Sequence, residues 1–158
     1  MVLRVGTGVG AGLVLGGSLL HGHLGAAGEI GHVVVDPDGE RCACSRTGCL
    51  ETLLAAPRLR RRIAEPGVDG PAVLAEVGTR LGEVLAPLVA ALNLHEIVLS
   101  GPAELLDGPL LDAADRTIRA RTMPISSSGL AVRTSKLGED VVVVGAAVLV
   151  LAGELGVS

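Results

Sequence analysis

The chain has 158 residues, of which 49% are apolar and 19% charged, with a formal charge of −4. That length suits one domain of ordinary size or a large piece of one, and the composition excludes global disorder. The charge is spread along the chain, so nothing is built to bind nucleic acid phosphates, and the lack of any Phe, Tyr or Trp removes aromatic platforms for bases, sugars or a membrane interface.

Val2–Val5 reads as a short strand entering the glycine loop Gly6-Thr7-Gly8-Val9-Gly10. Ala11–Leu15 and Ser18–Leu20 are apolar runs separated by Gly16-Gly17, a dipeptide suited to a two-residue hairpin turn. Val33-Val34-Val35 is β-branched, reads as extended structure and stops at the turn signal Asp36-Pro37-Asp38-Gly39. The cysteine-rich stretch 42–49 is expected to be a loop. From Leu50 to Ala64 the apolar spacing predicts a helix with a basic cluster at Arg58, Arg60, Arg61 and Arg62.

After a connector at 66–71, Val73, Val77, Leu81, Val84, Leu85, Leu88 and Leu92 fall on one helical face. Pro87 inside that pattern predicts a kink or break near residue 86. Ile97–Leu99 reads as a strand, Leu110–Arg121 as a helix, Met123 to Gly129 as loop and Ala131–Thr134 as a strand. Val141–Leu155 reads as a buried helix introduced by Gly138-Glu139-Asp140. Strands alternating with helices give an α/β architecture in one domain.

The longest apolar run, Val141 to Ala152, has twelve residues with Gly145 inside it, short of the roughly 20 needed to cross a bilayer. Arg4 followed by 9–20 and Gly25-Ala26-Ala27 loosely imitates a secretory signal, but six glycines between Gly6 and Gly17 interrupt it. A cytoplasmic protein without membrane contact is expected.

His32, Cys42, Cys44 and Cys49 form the pattern H-x9-C-x-C-x4-C and include every cysteine of the chain. An odd number of clustered thiols is poor disulfide arithmetic, whereas three thiolates and an imidazole are the ligands of a closed, structural zinc site. The plainer alternative is three reduced thiols beside a surface histidine. His21, His23 and His95 read as solvated. The glycines from Gly6 to Gly12 could bring backbone N–H groups to a phosphate or form a tight hairpin, and spacing does not separate the two.

Val5-x2-Gly8-x-Gly10-x-Gly12-Leu13, then Gly22, then Gly28-Glu29-Ile30-Gly31-His32 through Cys42-x-Cys44-x3-Gly48-Cys49-Leu50-Glu51, resembles the signature of the ROK family of repressors, open reading frames and sugar kinases. The resemblance covers essentially the whole chain. It implies the C-terminal lobe of an actin-like ATPase (ribonuclease-H-like) fold with a zinc loop at 32–51, the first lobe and any DNA-binding domain being absent from this sequence. It further implies that Glu29, His32 and Glu51 bind the hydroxyls of a hexose or hexosamine, with His32 using its other ring nitrogen on zinc. Gly6, Thr7, Gly8 and Gly10 would correspond to a loop for ATP phosphates, with Mg²⁺, and Gly101 to the adenosine side.

Two departures matter. Ser45 stands where the family usually has glycine, and neither D-x-G-x-T nor an Asn-Asp pair occurs in these residues. Without that aspartate no catalysis by this chain alone is expected. The Leu99-Ser100-Gly101-Pro102-Ala103 segment and the apolar C-terminal run point first to a sugar-sensing lobe of a transcriptional regulator. The intact glycine loop keeps the C-terminal half of an ATP-dependent sugar kinase as the alternative, and a stand-alone zinc-stabilised sugar-binding or dimerising module as a third. Self-association into a homo-oligomer is expected, because surface that faces the first lobe would be bare.

Overall fold

A computed structural model describes residues 1–155. Strands β1 (Val2–Val5) and β2 (Val9–Gly12) form an antiparallel hairpin in which Val5 faces Val9 across the glycine turn. On its other side β1 runs parallel to β5 (Glu96–Ser100), and β5 runs parallel to β6 (Ala131–Thr134). The sheet order is therefore β2-β1-β5-β6. A separate two-stranded hairpin, β3 (Val14–Leu15) and β4 (Ser18–Leu19), turns at Gly16 and Gly17, both at positive φ.

Three helices follow the cysteine loop: α1 (Leu50–Leu54), α2 (Ala56–Ile63) and the 23-residue α3 (Gly70–Leu92). After β5 come α4 (Ala103–Leu106), α5 (Pro109–Arg121) and α6 (Pro124–Ser127), and α7 (Val141–Leu155) ends the described chain. Leu3 and Val5 of β1 and Ile97 and Leu99 of β5 share one core with Leu81 and Leu85 of α3 and Leu110 and Ile118 of α5, all fully buried. Each such side chain contributes about 1.5–3 kcal/mol by leaving water. Helices α3 and α5 approach closely because α3 presents glycines to its neighbour. A Cβ on Gly78 would lie 2.2 Å from the Leu110 carbonyl oxygen, and one on Gly82 would lie 2.5 Å from Thr117 Cβ.

The α/β pattern and most elements are where the sequence places them, with five differences. The 50–64 helix is two helices meeting at Ala55, where φ −55° and ψ 131° leave the helical region. A continuous helix would drive the Pro57 ring into the Leu53 carbonyl, whereas Pro57 fits the first turn of α2. Helix α3, by contrast, runs through Pro87. Its ring lies on the exposed side, and Leu81, Leu85 and Val89 anchor the buried side. Asp69 caps α3 by accepting from the Ala72 N–H at 3.2 Å, and Asn93 ends it in the left-handed region.

Val33-Val34-Val35 is not a strand. Only the bridge Val34–Cys49 forms, because the segment bends to wrap the cysteine loop, with the Val35 and Asp36 N–H groups both donating to the Gly48 carbonyl. The expected loop after Met123 contains the short helix α6. Helix α7 is not buried: residues 142–151 are all exposed, since α3 and α5 already fill the core. Among the described residues no helix is long and apolar enough to cross a membrane.

Candidate functional site

Glycine geometry positions the acidic and histidine side chains. Gly28 has φ +98°, and a Cβ there would sit 1.8 Å from the Ala11 carbonyl oxygen. The Ala11 N–H donates to the Gly28 carbonyl at 2.9 Å, so the loop is sewn onto β2. Gly31 approaches as closely, its Cβ position being 2.1 Å from the Val9 carbonyl oxygen. Between them Glu29 stays exposed, and the 3-10 turn Ile30–His32 delivers a half-buried His32.

The cysteines sit on a tight turn. The Cys42 N–H donates to the Arg46 carbonyl at 2.8 Å, and the Ser45 N–H donates to Cys42 at 3.0 Å. Ser45 adopts φ +73°, a conformation that glycine takes freely and that costs other residues about 1–2 kcal/mol. This explains physically what the serine at that position changes: it strains the turn and removes no ligand.

His32, Cys42, Cys44 and Cys49 converge so that their ligand atoms all lie within 4.8 Å of one another. His32 Nδ1 is 3.5 Å from Cys42 Sγ, and Cys44 Sγ is 3.6 Å from Cys49 Sγ. A tetrahedral zinc with its usual bond lengths requires ligand separations of about 3.5–3.8 Å, so donor set and spacing fit such an ion. Cys42 and Cys49 are buried and Cys44 is exposed. Burial pushes the Cys49 thiol up to about 12, with the neighbouring cysteines adding to the shift. The backbone hydrogen bond at Arg46 chiefly lowers Cys44.

Glu29 and Glu51 approach this cluster separately. The Glu29 carboxylate is 3.7 Å from His32 Nε2, the ring nitrogen that does not face Cys42. Glu51 Oε1 accepts from the Cys42 thiol at 3.6 Å, and its Oε2 accepts from the Val9 N–H at 3.0 Å. The structure thus places Glu29, His32 and Glu51 around one centre.

The glycines separate into different surroundings. Gly6, Thr7 and Gly101 line a cavity of about 620 Å³, together with Arg4, Arg60 and Lys136. Gly8 instead packs on Glu51, and Gly10 lines a second cavity of about 400 Å³ with Glu29 and the fully buried Ser100, whose hydroxyl has no partner among the described residues. Arg4, Arg60 and Lys136 carry no sequence signal that would have marked them as cavity residues. His21, His23 and His95 are exposed, as expected.

The model of the family described as "ROK family" matches residues 1–152. A glucokinase of Halalkalibacterium halodurans is 32% identical over 95% of this chain and 55% of its own length. The DNA-binding transcriptional dual regulator NagC of Escherichia coli is 30% identical over 87% of this chain and 40% of its own. Among solved structures, a ROK hexokinase from Thermus thermophilus superposes with a TM-score of 0.74 at 29% identity, over 93% of this chain and 56% of that one. The chain spans about half the length of the curated relatives it matches. These sugar kinases have the actin-like ATPase fold, which the α/β sheet and its helices share.

Proposed function

The chain belongs to the ROK family, and from that membership we propose that it is the sugar-sensing, zinc-binding lobe of a transcriptional regulator. The observation that carries the zinc and sugar part of this reading is the two-sided placement of His32, with Nδ1 toward the cysteines and Nε2 toward Glu29. The regulator part is supported by the NagC relative. A metal held on Nδ1 by His32, Cys42, Cys44 and Cys49 would fix the tautomer and leave Nε2 to a sugar hydroxyl. Glu29 and Glu51 supply carboxylate acceptors beside it. Zinc here would brace the loop, because four protein ligands leave no open position for water.

In this reading the chain is one C-terminal lobe, acts in the cytoplasm, self-associates and performs no phosphoryl transfer by itself. It contains no Asn-Asp pair to supply a base for a sugar hydroxyl. The test is calorimetric titration of the zinc-loaded protein with glucose, N-acetylglucosamine and N-acetylmannosamine. Binding of one of them that vanishes in Glu29→Ala, with zinc content unchanged, is the expected result. Binding that survives the substitution overturns the sugar assignment.

A second reading is favoured by the glycine turn beside the 620 Å³ cavity and by the glucokinase relative. The chain would then be the C-terminal half of an ATP-dependent sugar kinase, with Gly6, Thr7, Gly8, Gly10 and Gly101 on the nucleotide side. Hexose-dependent ATP turnover by the native protein would decide for the kinase. Sugar-dependent release of DNA without turnover would decide for the regulator.

A further inference from the structure

The glycine turn between β1 and β2 is held at both ends by the segment that leaves the cysteine loop. The Ala56 N–H, at the start of α2, donates to the Gly6 carbonyl at 2.8 Å. On the other side Glu51 Oε2 accepts from the Val9 N–H at 3.0 Å. In the metal-free protein the same carboxylate also accepts from the Cys42 thiol through Oε1 at 3.6 Å. A zinc-bound Cys42 would be a thiolate with no proton to give, so the tie to the centre runs through the chain from Cys49 to Glu51. Segment 49–56 is itself fastened at its origin, because the buried Thr52 hydroxyl donates to the Cys49 carbonyl at 2.7 Å. Leu50 and Leu54 are fully buried. One short, packed unit therefore carries a cysteine of the centre at one end and both clamps of the glycine turn along its length.

We propose that Glu51 is a positioning residue that ties the order of the glycine turn to the His32/Cys42/Cys44/Cys49 centre. This deepens the reading above and rests on it for the metal. Gly8 fits the role, since a Cβ there would lie 2.8 Å from Glu51 Oε2 and 3.8 Å from its Cδ. A side chain at position 8 would displace the carboxylate from Val9. Glycine in this turn thus has a second reason beyond close approach to a phosphate: it leaves room for the clamp.

Amide hydrogen exchange of the 158-residue chain, resolved by residue with and without Zn²⁺, tests the proposal. Loading Zn²⁺ should slow exchange of the Val9 amide in the unaltered protein. Glu51→Ala should speed Val9 exchange about tenfold or more, the scale of a lost hydrogen bond to a charged group, and make it indifferent to Zn²⁺. Glu51→Gln keeps an amide oxygen for Val9 and should restore most of the protection. Gly8→Ala, which leaves Glu51 in place chemically, should reproduce the Glu51→Ala pattern. Unchanged Val9 exchange in Glu51→Ala overturns the proposal, as does an equal loss at every amide of the β1–β2 hairpin that Gln does not rescue. If Zn²⁺ does not bind the unaltered protein, the metal reading fails and the link to the centre fails with it. The Ala–Gln comparison at Val9 still judges the clamp.

Discussion

Gly48 lies so close to Asp36 that a Cβ on the glycine would be 1.4 Å from the Asp36 carbonyl oxygen. Gly48 also has φ +69°, and its own carbonyl accepts from the Val35 and Asp36 N–H groups at 2.8 and 3.1 Å. The returning limb of the cysteine loop is thus laid directly on the 33–36 segment, bringing Cys49 below His32. Gly48→Ala meets both a backbone clash and the left-handed penalty. It should cost about 2–3 kcal/mol or more and lower zinc affinity, read by melting and by competition with a chromophoric chelator. Wild-type melting with full zinc uptake would contradict this account of the loop.

Zinc binding should depend on pH with a definite sign. In the metal-free protein the Cys49 thiol is raised from its ordinary 9.0 to about 12, chiefly by burial. The folded state then holds this proton more tightly than the unfolded one. Its contribution to stability is complete below about 9 and is lost as pH rises through about 12. Metal binding reverses the requirement, because the ligand must be thiolate. At pH 7 zinc should therefore release at least about one proton per ion, and affinity should climb with pH. Calorimetry in buffers of different ionisation enthalpy counts the protons. A count of zero would exclude ligation by Cys49.

Loss of the metal should act first on the loop around it. Cys42→Ser or Cys49→Ser should abolish zinc binding and destabilise residues 36–56, although Leu50 and Leu54 share the core with α3 and α5. Gly78→Val attacks the α3–α5 packing instead. Its side chain would enter the Leu110 backbone, from which a Cβ is already 2.2 Å away, so about 2–3 kcal/mol of overpacking is expected with zinc stoichiometry unchanged. Denaturant unfolding with a zinc assay on each variant separates the two effects.

The convergence of His32, Cys42, Cys44 and Cys49 was legible because these side chains are chemically distinctive and the three cysteines are close in sequence. The approach of Glu29 to His32 was legible too, since the two stand three residues apart in one motif. The Glu51–Val9 hydrogen bond was not, since it joins residues 42 apart in sequence, and no local pattern encodes that pairing. Periodicity found α3, and the break allowed for at Pro87 does not occur, because the ring sits on the exposed side while Leu81, Leu85 and Val89 hold the buried side. In 50–64 it missed the break at Ala55, where the proline geometry and the pull of Gly6 on Ala56 outweigh an unbroken apolar stripe. Apolar content read Val141–Leu155 as buried, yet burial requires a covering surface, which composition does not report.

The exposed helix α7 has a consequence for assembly. Val143, Leu149 and Val150 of α7 are 71%, 63% and 64% exposed, so one helix displays several large aliphatic side chains to solvent. Isolated exposed valines or leucines are ordinary, whereas a contiguous set on one element promotes association. The chain should therefore self-associate with rising concentration, and the pair Val143→Asp with Leu149→Asp should shift it toward monomer. Neither side chain is in the core, so each substitution should change stability by no more than about 0.5 kcal/mol. Sedimentation velocity across a concentration series, run beside thermal melts, distinguishes the outcomes. A monomeric unaltered chain at micromolar concentrations would refute the expected homo-oligomer. Association that persists in the double variant would move its interface away from α7.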